Sequence, residues 1–202
     1  GPCSSLCSAS EEAPTVLFTK AIPNGAGRTD IIAEVENKNA GAAAKSVPYT
    51  VALYDASQTL VQKVSGTLDL PPSASVPVYI AGVASGQQTV ASAFLSIDSS
   101  AVFWYRLASD PRIVPTVTHI VESGTTDAPV IQATLANPSV TPLSQVRVVV
   151  MVRDGSGNVI AASRTVLPTM PSQGEATATF TWNAPFSGDA VSIEALPLVP
   201  LP

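Results

Sequence analysis

Charged residues are scarce in this sequence. Asp, Glu, Lys and Arg make up 12% of the 202 residues, about half their usual share in a soluble domain. The net charge is −5, which argues against a nucleic-acid partner because such a partner requires a basic stripe to neutralise its phosphates. No apolar run approaches the roughly 18 residues of a membrane-spanning helix. We therefore expect membrane attachment only through a segment absent from this chain.

Side chains that carry catalytic or metal chemistry are equally few. His119 is the only histidine, and it lies in a segment typical of a β-strand. A zinc site needs a set of histidine, cysteine or acidic ligands, and a nucleophilic triad needs a serine, a histidine and an acid in register. Glycine-rich phosphate loops are missing too. We therefore expect no catalytic residue, no cofactor and no metal, and a protein that is not an enzyme.

The cysteines are confined to the first few residues. Cys3 and Cys7 lie in a Ser-rich lead, and no cysteine follows them. A disulfide is the favoured interpretation, either between Cys3 and Cys7 or with cysteines upstream. A redox-active pair is disfavoured because catalytic cysteines usually lie closer together at a helix N-terminus. Lipidation of Cys3 is the third alternative.

The chain repeats itself with a period of about 100 residues. Residues 31–37 (IIAEVEN) recur as residues 131–137 (IQATLAN), and residues 49–55 (YTVALYD) recur as residues 148–154 (VVVMVRD). Two copies of one domain account for the length better than two unrelated folds. The predicted organisation is a lead at 1–13, a first domain at 14–108 and a second domain at 109–202.

Within each copy, apolar residues alternate with polar ones along the chain. Ile131, Ala133 and Leu135 are predicted to face a core, with Gln132 and Thr134 facing outward. This alternation indicates half-buried strands. The strands are short, turn residues separate them, and no segment has the pattern of an amphipathic helix. The predicted fold is all-β, with two tandem antiparallel β-sandwiches of the immunoglobulin or fibronectin type III kind.

The same alternation continues in residues 145–152, where Val149 and Met151 fall on the outward side. With Thr, Ser, Ala and Gln at many other outward positions, we expect charge to be missing from the surface itself. A loop follows in which Asp154, Ser156 and Asn158 alternate as in a calcium loop. The terminal glutamate of such a loop is missing, so a hairpin turn is the better interpretation.

Phe103, Trp104 and Tyr105 form the densest aromatic cluster. Neighbouring residues of a strand point to opposite faces, so at least one of the three should lie outside the core. Two interpretations remain open. The cluster contacts a protein partner or a glycan, or it packs at the junction of the domains.

The two copies differ at their ends. The first continues past a strand at 89–97 into another at 101–107, whereas the second reaches 189–196 and then has three prolines in residues 197–202. Proline disfavours an inner strand, so we expect the second domain to lack its last strand. The exposed edge could accept a strand from another subunit, supplied by residues 3–14 of a neighbour. The alternative is that the proline-rich segment covers this edge.

A family resemblance adds to these expectations. Val51-Ala52-Leu53-Tyr54-Asp55, followed by Leu60-Val61, resembles the signature of FxLYD-type β-sandwich domains. The chain as a whole is similar to tandem FxLYD-like surface proteins of candidate-phyla-radiation (Patescibacteria-type) bacteria, although the second copy has Val152-Arg153-Asp154 in place of the signature. The resemblance implies an exported, extracellular or surface protein, membrane-anchored in its precursor.

The function expected from these observations is a non-enzymatic structural or adhesive component of the bacterial cell envelope, acting as a stalk or a partner-binding module. The first alternative is a subunit of an extracellular filament, assembled by strand addition between subunits through the edge of the second domain. The second alternative is a ligand- or glycan-binding accessory module. In each case the expected partners are other proteins, further copies of the chain or a surface ligand.

Overall fold

The computed structural model describes residues 11–24, 27–84 and 89–202. Cys3 and Cys7 lie outside the described residues, so their predicted disulfide stays a prediction. The chain divides into two compact units. Among the described residues, the first comprises those within Gly1–Ala21, Ile31–Pro111 and Leu201–Pro202, and the second comprises those within Ile22–Asp30 and Arg112–Pro200.

The first seven strands form two sheets. They are β1 (Thr15–Pro23), β2 (Thr29–Asn37), β3 (Ala42–Tyr54), β4 (Leu60–Leu70), β5 (Ala74–Val83), β6 (Ser92–Ser96) and β7 (Trp104–Arg106), with a short 3₁₀ turn at Ser99–Ala101. One sheet has the order β1-β2-β5, and the other has the order β4-β3-β6 with β7 also paired to β3. Strand β3 is antiparallel to each of its three partners.

The remaining six strands repeat this arrangement. They are β8 (Thr116–Ser123), β9 (Val130–Ala136), β10 (Leu143–Arg153), β11 (Val159–Met170), β12 (Glu175–Thr181) and β13 (Ser192–Leu198). The sheets have the orders β12-β9-β8 and β11-β10-β13, again with antiparallel pairs. The all-β fold with antiparallel sheets predicted from the alternating pattern is confirmed.

Each unit has one apolar core between its two sheets. In the first, Ile31, Ala33 and Val35 of β2 meet residues of β3 and β4 such as Leu53 and Leu70. In the second, β9 contributes its predicted inward residues, which pack against β10, β11, β12 and β13: Ile131, Ala133 and Leu135. Because inward positions of both sheets bury apolar side chains in one cluster, each unit is a sandwich in the usual sense.

The prediction that Val149 and Met151 contribute to the surface is wrong. Both side chains point away from the core cluster of the second unit, yet Val149 is 2% exposed and Met151 is fully buried. Ile32 in β2 is buried in the same way, outside the main cluster of its unit. Strand alternation tells the two faces of a sheet apart, but it does not reveal that the outer face is also covered. The low charge therefore reflects buried outer faces as well as polar surface positions.

The strands after β5 and β12 differ in detail from the sequence-based expectation. The segment predicted as a strand at 101–107 contains the end of the 3₁₀ turn and only the short strand β7. Strand β13 runs further than residue 196, because Pro197 pairs with Val148 and Leu198 pairs with Arg147. Proline is tolerated there because β13 lies at the edge of its sheet. In the described part of the chain, no helix is long and apolar enough to span a membrane.

Candidate functional site

A buried asparagine closes the loop after β2 in the first copy. The Asn37 side-chain nitrogen donates to the carbonyl oxygens of Ala42 at 2.9 Å and Pro71 at 2.8 Å. Its oxygen accepts hydrogen bonds from the Asn39 backbone and side chain. Asn39 in turn exchanges two hydrogen bonds with the Glu12 backbone. The polar group is therefore fully used to join the loop, the end of β4 and the lead into β1.

Asn137 repeats this bonding in the second copy. Its side-chain nitrogen donates to the carbonyl oxygens of Thr141 at 2.9 Å and Pro171 at 3.1 Å, and its oxygen accepts from the Ser139 N–H. Both asparagines are almost completely buried, at 1% and 2% exposure. Asn37 thereby satisfies the carbonyl groups of two buried residues, Ala42 and Pro71, and Asn137 makes the equivalent bonds in the second copy. These two residues hold the loop after β2 and the loop after β9 in place.

The hairpins after β3 and β10 use an aspartate in the same way. Asp55 Oδ1 accepts from the N–H groups of Ser57 and Thr59. Asp154 Oδ1 accepts from the N–H groups of Ser156 and Asn158. The carboxylate thus organises the turn, which favours the hairpin interpretation of residues 154–158 over a calcium loop.

Within residues 11–24, 27–84 and 89–202, no group of three or more histidine, cysteine or acidic side chains could hold a metal ion. His119 lies exposed on β8.

The aromatic cluster of the first unit is divided between core and solvent. Phe103 is 81% exposed. Trp104, by contrast, packs against the core, and in β7 it pairs with Ala44 of β3. Tyr105 pairs with Ala43, and its hydroxyl oxygen is buried without a hydrogen-bond partner in the described part of the chain. Phe103 is therefore the most exposed of the three, and Trp104 and Tyr105 are half-buried.

A second exposed aromatic group lies on the outer face of the β4-β3-β6 sheet. The rings of Tyr54 and Phe94 meet edge to face, with centroids 5.9 Å apart. Phe94 is 60% exposed, and Leu60, the cross-strand partner of Tyr54, is 46% exposed. We call these three residues, Tyr54, Leu60 and Phe94, the aromatic platform. The sequence offered a signal for it, because Ala93 and Leu95 face inward and Phe94 must then face out.

The aromatic platform borders a surface depression at the β3–β4 hairpin. Its lining has about as many hydroxyl and carboxylate residues as apolar ones: Asp55, Ala56, Ser57, Thr59, Leu60, Val61 and Thr89. Leu60 belongs to both features. An apolar, aromatic surface thus adjoins a set of hydrogen-bonding groups, which is the combination found where proteins bind ligands with both apolar and hydroxylated faces.

The second copy has an ion pair at the positions of the aromatic pair. Tyr54 lies opposite Ser92 in β6, and Arg153 lies opposite Ser192 in β13. By the same register, Phe94 corresponds to Glu194, and the Arg153 guanidinium contacts the Glu194 carboxylate. Leu60 corresponds to Val159, which is only 5% exposed. The copies share the same strand arrangement, but the first has aromatic side chains on this face where the second has charged ones.

The sheet edge next to β10 also differs between the copies. In the first, Ala42, Ala43 and Ala44 pair with β7, and the Leu107 N–H donates to the Gly41 carbonyl. In the second, β13 pairs with β10 only from residue 147 onward, among the described residues. Pro142 stands at the position of Ala43 and has no N–H to offer an added strand. Proline at a sheet edge discourages strand addition.

Comparisons with known proteins add no family assignment. No protein-family profile matches the chain, and no curated protein matches it significantly. Solved structures do match, among them red sea bream transglutaminase at 12% identity and a TM-score of 0.29. That alignment covers 95% of this chain and 32% of the transglutaminase. The chain therefore spans about a third of the length of this structural neighbour.

Proposed function

We propose that the chain is a non-enzymatic structural or adhesive component of the bacterial cell envelope, in which a tandem β-sandwich frame presents the aromatic platform to a partner. The observation that carries this proposal is the contrast between the copies. At one register position the first copy has an aromatic pair whose Phe94 ring is exposed, and the second has an ion pair. A sequence that needed only a stable frame could use the ion pair in both places.

The use of buried polar side chains supports a structural role. Thr29, Asn37 and Asn137 are the buried polar residues in the part of the chain that is described, and both asparagines hold loops together. Catalytic sites place polar or titratable groups in a cleft and leave them available for substrate. Here the two asparagines that repeat between the copies use their side chains for hydrogen bonds to backbone carbonyls.

The envelope location rests on the resemblance of residues 51–55 to FxLYD-type domains of surface proteins. We propose export of the chain and anchoring through a segment outside it. The exposed aromatic side chains suit this placement, since large apolar groups at a surface usually mark contact with a partner.

A co-sedimentation assay with purified peptidoglycan sacculi tests the proposal. The wild-type chain is expected to pellet with the sacculi. The variant Tyr54→Arg/Phe94→Glu copies the ion pair that the second copy already accommodates, so it should fold while losing the platform. Loss of a stacked aromatic contact worth about 1.5 kcal/mol lowers binding about tenfold.

The control is Val191→Ser, which removes an exposed apolar side chain (67% exposed) from the second copy. It should bind sacculi as the wild type does. A wild-type chain that stays in the supernatant contradicts an adhesive role at the cell wall. Equal binding by the wild type and the double variant contradicts the role of the platform.

A glycan-binding accessory module is the second candidate, favoured by the hydroxyl and carboxylate groups beside the platform. A soluble oligosaccharide array with the same variants separates it from adhesion to intact wall material. For the cluster at 103–105, Phe103→Ser is the informative substitution. Trp104→Ala would damage the core against which Trp104 packs.

A further inference from the structure

Leu201 is buried in the first unit, and its backbone N–H is hydrogen-bonded to a carboxylate of β4. Leu201 is 2% exposed, and its N–H donates to Asp69 Oδ2 at 2.8 Å. Asp69 Oδ1 accepts from the Ser46 N–H, also at 2.8 Å. One Asp69 oxygen thus bonds the backbone at the register shift in β3, and the other bonds the backbone of Leu201. We call Ser46 and Asp69 the docking site and residues 199–202 the docking segment.

The docking site occurs in the first copy alone. Ser46 and Gln145 both have φ of 52°, so the two copies share the same backbone irregularity. The residue corresponding to Asp69 is Thr169, which precedes Met170 as Asp69 precedes Leu70. Threonine lacks the second carboxylate oxygen that accepts the Leu201 N–H. The second copy therefore repeats the fold of this site without its acceptor.

The docking segment has the character of a ligand. Leu201 is buried between two exposed prolines, Pro200 and Pro202. Prolines restrict the backbone to extended conformations, so little conformational entropy is lost when such a segment binds. The Val199 carbonyl accepts a hydrogen bond from the Arg112 guanidinium within the second unit, so Leu201 is the residue of the segment that bonds to the docking site. Extended proline-containing segments are a recurrent class of peptide that proteins recognise, and this one offers the buried Leu201 side chain and one backbone hydrogen bond to Asp69.

We propose that the docking site also receives the docking segment of a second copy of this chain. The occupant is argued from the seating of the same segment in the chain itself, because exchange reuses a contact that already fits. Each chain carries one site and one segment at different places. Exchange is therefore heterologous, and it links chains head to tail. This inference is independent of the aromatic platform and of what the platform binds.

The intramolecular contact competes with exchange. A segment tethered to its own chain has an effective concentration on the order of mM at its site, so wild-type chains exchange only when densely packed. Two variants that cannot form the intramolecular contact make the contact between chains measurable. Leu201→Asp leaves a vacant docking site with a disabled segment, and Asp69→Thr leaves a free segment with a disabled site.

The experiment mixes these two full-length variants. The amide signals of ¹⁵N-labelled Leu201→Asp chain are followed by NMR while unlabelled Asp69→Thr chain is added to about 1 mM. The Ser46 and Asp69 amides should shift with saturation, and sedimentation should show a species of twice the 20.7 kDa chain mass. Neither variant should associate alone. As a control, unlabelled chain carrying both substitutions should leave the signals in place.

Two results overturn the proposal. Unmoved Ser46 and Asp69 amides in the mixture show that the site does not accept a segment in trans. Equal shifts with the doubly substituted chain show that the contact does not involve Leu201. If Asp69→Thr fails to fold, a synthetic peptide of residues 196–202 (LPLVPLP) replaces it as the probe. Binding of this peptide to the Leu201→Asp chain supports the proposal, and absence of binding at several mM contradicts it.

Discussion

Removing the Asn137 side chain should lower the free energy of unfolding of the second unit by more than a substitution at an exposed position does. Asn137→Ala deletes three hydrogen bonds, to the Thr141 and Pro171 carbonyls and from the Ser139 N–H. Each such bond contributes about 1 kcal/mol net. We therefore expect a loss of about 3 kcal/mol in the free energy of unfolding.

Urea unfolding monitored by tryptophan fluorescence measures this loss. The chain has two tryptophans, Trp104 in the first unit and Trp182 in the second. Trp104→Phe leaves Trp182 as the reporter of the second unit. With a slope of about 2 kcal/mol per M urea, a loss of 3 kcal/mol lowers the midpoint by about 1.5 M.

Two comparisons make the measurement decisive. Ser144→Ala, at an exposed position in β10, should leave the midpoint nearly unchanged. Asn137→Asp keeps the acceptor but removes both donors and buries a charge, so it should be at least as destabilising as alanine. A loss below about 1 kcal/mol for Asn137→Ala would refute the view that these asparagines hold the frame.

Three other predictions concern the turns of both units and two side chains of the first unit. Gln58 has φ of 62° where the second copy has Gly157 at φ of 84°, so Gln58→Gly should stabilise by about 0.5 kcal/mol and Gly157→Ala should destabilise by about 1 kcal/mol, as measured by calorimetry. Tyr105→Phe removes a buried hydroxyl without a partner and should raise the melting temperature, not lower it. Hydrogen bonds from the Ser100 side chain and backbone lower the pKa of Asp98, so its carboxylate favours the folded state above the unfolded pKa and the benefit is lost as pH falls through the folded pKa. NMR titration should place that midpoint below 3.8, and Ser100→Ala should raise it.

The internal repeat and the strand alternation predicted the frame. Inward positions such as Ile131 and Leu135 could be assigned because alternate residues of a strand share a face. The turn role of Asp154 also followed from sequence, since aspartate at this place bonds to backbone N–H groups two and four residues on. These features depend on neighbours along the chain, which a sequence displays directly.

Features that depend on register between distant strands could not be predicted. The contact of Tyr54 with Phe94 requires β3 and β6 to pair with Ala52 opposite Phe94. The two aromatic residues are 40 positions apart in the sequence, and such a separation does not reveal the register of the two strands. The burial of Met151 has the same origin, because it depends on what covers the outer face of a sheet. The cluster at 103–105 is dense in aromatic residues, but the sequence does not show that Phe103 is the exposed member and the other two are half-buried.

The central claim is that the copies share one frame while the first alone presents a binding surface. Amide and aromatic NMR signals of the chain, followed during titration with soluble peptidoglycan fragments, test it most directly. The claim predicts saturable shifts at Tyr54 and Phe94, with Arg153 and Glu194 unmoved at the same positions of the second copy. Shifts centred on Arg153 and Glu194, or no shifts at millimolar fragment concentrations, would contradict it.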